Sequence, residues 1–190
     1  MRVISGRYKG RNIISPSRGE VRPTTDLVKG SVFSILASKS GVDGARCLDL
    51  FCGTGGMGIE ALSRGAESCV FVDRDIANAK VNLDRIGISA RTVCMEFRRA
   101  LRLLRNERFD IIFCDPPYGK GYALEAAELI LRYGMLDSGG VMAVEHSSSN
   151  DLINFPQNCI IDRRVFGVTA VDFVMRGDDE TYNSDIRGDV

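Results

Sequence analysis

The sequence predicts an α/β domain built on a mostly parallel, seven-stranded sheet that ends in an antiparallel hairpin. Three observations carry that prediction. From Arg46 onward short apolar runs alternate with amphipathic stretches, the order that winds a parallel sheet between two layers of helices. The runs themselves, such as CVFV, IIFC and VMAV, are apolar at successive positions, as strands are when both faces are covered. The last forty residues depart from this order. NCIIDRRVFGVTAVDFVMRG reads as two consecutive strands around Gly167 with no helix between them, so this final pair runs antiparallel, unlike the six-strand doubly wound dehydrogenase layout.

Taken in order, RVIS and RNIIS flank the turn signal GRYKG and predict a small N-terminal β-hairpin. RPTTDLVKGSVFSILASK follows, with Thr24 or Thr25 as helix cap and Val28, Val32, Ile35 and Leu36 at helical spacing. Residues 1–40 are thus expected to form a hairpin and helix extension, and residues 41–176 the main domain. There the strands are RCLDLF, SCVFVD, ARTVCM, FDIIFC and GGVMAVEH, plus the final pair. The intervening helices are GGMGIEALSR, DIANAKVNLDRIG, EFRRALRLLRNE and one from about Tyr122. Gly65 and Gly87 fall where helices end. Residues 177–190, with five acids against Arg187, are expected to be a disordered tail.

The composition is ordinary for a soluble domain, with 44% hydrophobic and 26% charged residues. No apolar run approaches a membrane span, and MRVISGRYKG lacks the apolar stretch of a secretion signal. A cytoplasmic protein is expected. Cys47, Cys52, Cys69, Cys94, Cys114 and Cys159 show no C-x-x-C spacing and mostly fall in apolar runs, so they read as small buried hydrophobes rather than disulfides or metal ligands. The lone histidine, His146, has no second histidine for a metal or a triad and reads as structural. A net charge of zero conceals a basic front, with seven cations against two acids in residues 1–30, as a polyanion partner would require.

The stretch LDLFCGTGGMGIEAL places a glycine turn between the first strand and its helix. Gly53 and Gly55 let the backbone turn tightly and approach a ligand, and the helix N-terminus beyond favours electron-rich groups. Asp73 closes the next strand, where an acid accepts ribose hydroxyls. Gly53, Gly55 and Gly58 also satisfy G-x-G-x-x-G, the dinucleotide pattern. Asp49 argues otherwise: an anion there would repel a pyrophosphate and suits the ammonium of S-adenosylmethionine.

FDIIFCDPPY ends the fourth strand on a stiff corner. Two prolines remove two backbone donors, so the corner accepts hydrogen bonds. An exocyclic nucleobase amine is the matching donor. Asp115 and the Pro116 carbonyl would hold its two hydrogens and aim its lone pair at a sulfonium methyl. Tyr118 would stack on a base drawn from its helix, returning about 1 to 3 kcal/mol of the unstacking cost.

With these motifs in view, the chain resembles the bacterial 16S rRNA guanine-N2 methyltransferases of the RsmD family over roughly residues 1–176. The residues that carry the resemblance are RVISGRYKGRNI, RPTTD, DLFCGTGGMGIEALSRGA, FVDRD and FDIIFCDPPY. The resemblance implies a Rossmann-like class I S-adenosylmethionine-dependent fold and methylation of guanine 966 in assembled or assembling small subunits; a monomer is expected. It implies cofactor contacts from Asp49, Phe51, Gly53, Gly55, Asp73, Arg74 and Glu96, and catalysis by Asp115, Pro116 and Tyr118. Arg22 would lie near the cofactor or the RNA, while Arg7, Lys9, Arg11 and Lys120 could hold phosphates. Two positions depart from the family pattern. Lys29 and Gly30 replace an Arg-Glu pair, and Glu96 stands where an Asp or Asn is usual. Competing expectations are a DNA adenine-N6 methyltransferase, which normally needs a separate recognition region, an NAD-dependent oxidoreductase and a non-enzymatic RNA-binding module.

Overall fold

The computed structural model describes residues 1–14, 26–149 and 159–176. Five parallel strands, β1 (Arg46–Leu50), β2 (Ser68–Asp73), β3 (Arg91–Cys94), β4 (Phe109–Cys114) and β5 (Leu136–Ser147), are followed by β6 (Cys159–Phe166) and β7 (Thr169–Arg176). The sheet order is β3-β2-β1-β4-β5-β7-β6, with β7 antiparallel to both of its neighbours. The chain works outward from β1 to β3 and then returns to β4 on the other side of β1. That reversal opens a crevice at the carboxyl ends of β1 and β4, the place where open α/β sheets bind ligands.

The expected helices form as α1 (Asp26–Lys39), α2 (Gly56–Ser63), α3 (Ala77–Ile86), α4 (Phe97–Leu104) and α5 (Tyr122–Arg132). Alternation along the strands divides the core. Cys47, Phe71, Ile111, Phe113, Val141, Ala143 and Phe173 pack under α1, α2 and α3, while Leu48, Val70, Val72, Ile112, Met142, Val144 and Val174 pack under α4 and α5. Both alternating sets are apolar, which is why the strands read as unbroken apolar runs. β5 begins at Leu136, earlier than its expected start at Gly139, and its register against β4 slips between Phe109 and Ile111. Arg46 holds Asp137 at 2.7 Å and grips Asp110 as well, which fixes this irregular entry to the strand.

The N-terminal hairpin is reduced to one antiparallel bridge between Arg2 and Asn12. Val3, Gly10 and Ile13 N–H still bond to backbone carbonyls within it, but several other amides pair with side chains of the main domain. Ile4 and Ser5 N–H donate to the Glu60 carboxylate at 2.7 and 3.0 Å, and Ile14 N–H donates to Asn82 Oδ1 at 2.8 Å. Val3 and Ile13 are buried in the same core as α1 and α2. Lys29 explains part of this attachment. It is fully buried, donates to the Arg2 carbonyl at 2.6 Å and lies 3.5 Å from the buried Glu60. Burial depresses its pKa, with Glu60 and Asp26 opposing. Its neighbour Gly30 has room for a side chain, the nearest atom to an added Cβ being Ile4 Cδ1 at 4.0 Å.

His146 is structural, as expected: its Nε2 lies 3.0 Å from buried Asp172, which Arg163 also grips through two nitrogens. Burial alone would raise the Asp172 pKa, yet the Arg163 and His146 hydrogen bonds bring it down to about 2. Cys47, Cys52, Cys69 and Cys114 are buried and Cys94 is exposed, all five as free thiols. The expected caps Thr24 and Thr25 and the acidic tail at 177–190 lie outside the described residues.

Candidate active site

The loop between β1 and α2 combines three left-handed residues, Phe51 (φ 63°), Gly53 (φ 52°) and Gly55 (φ 78°). A Cβ on Gly53 would meet nothing within 4 Å, so its backbone faces open space. Gly58 serves a different purpose. A Cβ there would come 2.7 Å from Cys69 Sγ and closer still to the Phe71 ring, so its bareness lets α2 pack directly on β2. The three glycines of G-x-G-x-x-G thus provide backbone shape, backbone shape with close packing, and helix–strand contact.

Two acids brace this loop. Asp49, 3% exposed, accepts from Gly58 N–H at 2.8 Å and so pins the first turn of α2. Burial pushes its carboxyl up to about 7; the Gly58 hydrogen bond opposes the shift and the Asp73 charge adds to it. Asp73 accepts from Gly53 N–H at 2.8 Å through one oxygen and from Asp75 N–H at 3.1 Å through the other. Phe51 stacks at a tilt on Phe97 with centroids 5.0 Å apart, Phe97 on Tyr122 at 5.2 Å, and the Arg98 guanidinium covers Phe97 at 4.4 Å. The open space at Gly53, the Asp73 carboxylate and this aromatic wall fit a nucleoside-bearing cofactor. Glu96 sits at the N-terminus of α4, where its carboxylate accepts from Arg98 N–H at 3.0 Å and pairs with the Arg98 guanidinium at 2.6 Å. Arg74 is exposed just beyond β2, and its carbonyl faces Cys94 Sγ at 3.4 Å.

The DPPY corner lies beside this loop because β1 and β4 are paired, Leu50 opposite Cys114, and Asp115 N–H reaches the Leu50 carbonyl at 3.4 Å. Pro116 is buried, whereas Pro117 and Tyr118 are exposed. The Tyr118 hydroxyl donates to Glu145 Oε1 at 2.9 Å and lies 3.1 Å from Thr169 Oγ1. Burial raises its pKa to about 12, the nearby Glu145 and Asp115 charges adding to the effect. Asp115 and Glu145 line one small cleft with Val32, Met57, Phe113, Ala143 and Val171. Sequence reasoning missed Glu145. Its signal was an acid directly after the apolar run VMAV, toward the same carboxyl side of the sheet as Asp115.

The basic candidates do not converge. Arg7, Lys9 and Arg11 are exposed on the hairpin. Arg7 N–H donates to the carbonyl of Ser63, the last residue of α2, so this hairpin tip lies about 12 Å, one helix length, from the glycine loop. Lys120 is exposed near the DPPY corner, its Nζ 5.8 Å from the Tyr122 ring centroid. Arg22 is outside the described residues.

The sheet order, the antiparallel β7 and a glycine loop at the switch point define the Rossmann-like class I fold of S-adenosylmethionine-dependent methyltransferases. The chain belongs to the family described as Conserved hypothetical protein 95, whose model matches residues 1–175, and which is the RsmD family that the sequence resembles. It is 40% identical to "Putative rRNA methyltransferase YlbH" of Bacillus subtilis over 90% of this chain and 96% of that protein. It is 31% identical to "Ribosomal RNA small subunit methyltransferase D" of Escherichia coli K12, over 93% of this chain and 90% of that one. The solved structure of "Putative methyltransferase yhhF from Escherichia coli" superposes with a TM-score of 0.82 at 31% identity, covering 94% of this chain and 99% of that one.

Proposed function

We propose that this protein transfers a methyl group from S-adenosylmethionine to the N2 amine of a guanine in small-subunit rRNA, guanine 966 by family resemblance. The observation that carries the reading is the acceptor-rich DPPY corner held against the glycine loop at the β1–β4 switch. The names of its relatives, an rRNA methyltransferase and a small-subunit rRNA methyltransferase, support the substrate class. Asp49, Phe51, Gly53, Gly55 and Asp73 would hold the cofactor, with Arg74 and Glu96 at the rim of its site. When bound, S-adenosylmethionine supplies an electrophilic methyl on a sulfonium and departs as a neutral thioether. Asp115 and the Pro116 carbonyl accept the two amine hydrogens, which points the nitrogen lone pair away from the base plane. As the N–C bond forms, positive charge grows on the nitrogen beside Asp115, which stabilises it and is placed to take the proton that the methylated amine sheds.

The hairpin and α1 would act as the RNA-facing extension, with Arg7, Lys9 and Arg11 on phosphates remote from the reacting base and Lys120 on phosphates near it. The remote cluster suits a large folded rRNA, and we take the partner to be the assembled or assembling subunit. We further propose a monomer acting in the cytoplasm; among the described residues no helix is long and apolar enough to cross a membrane. Nucleoside mass spectrometry of 16S rRNA from cells with and without the gene tests the reading. N2-methylguanosine should fall in the deletion and return with the wild-type gene but not with Asp115→Asn. Unchanged N2-methylguanosine in the deletion refutes it.

A further inference from the structure

Beyond the DPPY corner, the geometry points to Glu145 as the residue that makes the site read guanine and reject adenine, and this inference rests on the proposed nucleobase methyl transfer. Cys114 pairs with Val144 in the parallel β4–β5 ladder, so Asp115 and Glu145 are the next residues on adjacent strands, about 4.8 Å apart along the sheet. Each continues the face occupied by Phe113 and Ala143, and the two carboxylates line one cleft between the sheet, Val32 of α1 and Met57 of α2. The Tyr118 hydroxyl, steadied by Thr169, donates to Glu145. The proposed stacking ring is therefore tied to the second carboxylate, and a base lying against Tyr118 would present its edge to both acids.

Ionised carboxylates only accept hydrogen bonds. The Watson–Crick edge of guanine offers neighbouring donors, the N2 amine and N1–H, and so matches Asp115 and Glu145 side by side. Adenine offers its amine beside an N1 lone pair, which would face Glu145 with no proton between them. A site built to receive a donor rejects an analogue lacking it far more strongly than an apolar pocket rejects a change of size. A purely structural Glu145 would do no more than hold Tyr118, and a glutamine could do that through its amide oxygen. The two roles therefore separate in the Glu145→Gln variant, whose amide can also donate to an N1 lone pair.

The test compares two particle substrates assembled from ligated 16S rRNA, one with guanine and one with 2-aminopurine at the target position. 2-Aminopurine keeps the reactive amine but carries a lone pair at N1; its missing 6-oxygen is common to every enzyme variant and cancels when variants are compared. Wild type should favour guanine in kcat/KM by on the order of 10⁴-fold, and Glu145→Gln should compress that preference at least ~10-fold by losing activity on guanine while keeping or gaining it on 2-aminopurine. Glu145→Asp, which keeps the charge, should retain the preference at a lower rate. Binding of S-adenosylhomocysteine and the melting temperature check that the variants are folded. If Glu145→Gln changes both substrates by the same factor, or changes neither, Glu145 does not read the base, although guanine methylation by wild type still stands. If wild type methylates neither particle, the methyl-transfer reading and this inference fall together.

Discussion

Asp49→Asn should make the protein more stable in alkaline solution while weakening its grip on the cofactor. Asp49 is buried and its carboxyl titrates near pH 7 rather than near 3.8. Because the folded pKa lies above the unfolded one, the folded state holds the extra proton between those two values. Stability is therefore greatest below the unfolded pKa and declines as pH rises through the folded pKa. From about pH 5 to about pH 7 that decline amounts to roughly 3 kcal/mol at 1.36 kcal/mol per tenfold change in protonation. Asparagine does not titrate and its carbonyl can still accept from Gly58 N–H, although its own amide hydrogens need partners, at a cost of about 1–3 kcal/mol.

That amide cost is the same at every pH, so the difference between variant and wild type isolates the titration. Thermal unfolding at about pH 5 and about pH 8.5 should show the variant gaining about 3 kcal/mol on wild type across the interval, or roughly 6–12 °C in melting temperature for a domain of this size. Calorimetry at the higher pH should show weaker S-adenosylhomocysteine binding, because the proposed partner of its ammonium has lost its charge. A variant-to-wild-type gap that stays constant between the two pH values would refute a buried, proton-holding Asp49.

Two further outcomes follow from packing and charge. Gly58→Ala pushes a methyl group into Cys69 Sγ and the Phe71 ring and should destabilise the fold by about 1–3 kcal/mol, measured by urea unfolding; an unchanged midpoint would mean that α2 does not pack on β2 as described. Replacing Arg7, Lys9 and Arg11 together by alanine should raise KM for the particle, leave kcat within about twofold and lower the salt slope of binding by about one per lost phosphate contact. An unaltered slope would remove the hairpin from the RNA interface.

The strands were legible because burial on both faces leaves unbroken apolar runs, and the helices because glycines punctuate their ends. What the sequence could not disclose was pairing between side chains and distant backbone. Glu60 reads as an ordinary acid on an amphipathic helix, yet its carboxylate takes the amides that a longer N-terminal hairpin would have used for its own ladder. Lys29 stands out in the sequence only as a departure from the family's Arg-Glu pair, yet it lies buried between the Arg2 carbonyl and Glu60. Periodicity assigns a residue to a face without saying what approaches that face. Glu145 was overlooked for the same reason, since GGVMAVEH announces a strand while the strand beside it is set by topology. The hairpin cations, expected to hold phosphates, are exposed, but their distance from the DPPY corner follows from the direction of α2, along which the hairpin is fastened.

The acids around the crevice are already engaged by the protein itself: Asp49 by Gly58 N–H, Asp73 by Gly53 N–H, Glu96 by Arg98 and Glu145 by Tyr118. Each bond ties a side chain at one strand or helix end to a neighbouring segment, so the loop has its shape before any ligand arrives. A loop ordered in advance spares binding the conformational cost of ordering it. Alanine at these positions would remove a brace and a ligand contact together, and lost activity could then reflect a collapsed loop as readily as a lost contact. Amide replacements remove the charge and keep one accepting oxygen, although at Asp73, where both oxygens accept, the new NH2 must face one of the two backbone N–H groups. If Asp73→Asn keeps the melting temperature of wild type but loses cofactor affinity, the carboxylate acts on the ligand; if both fall, its main task is to brace the loop through the Gly53 and Asp75 amides.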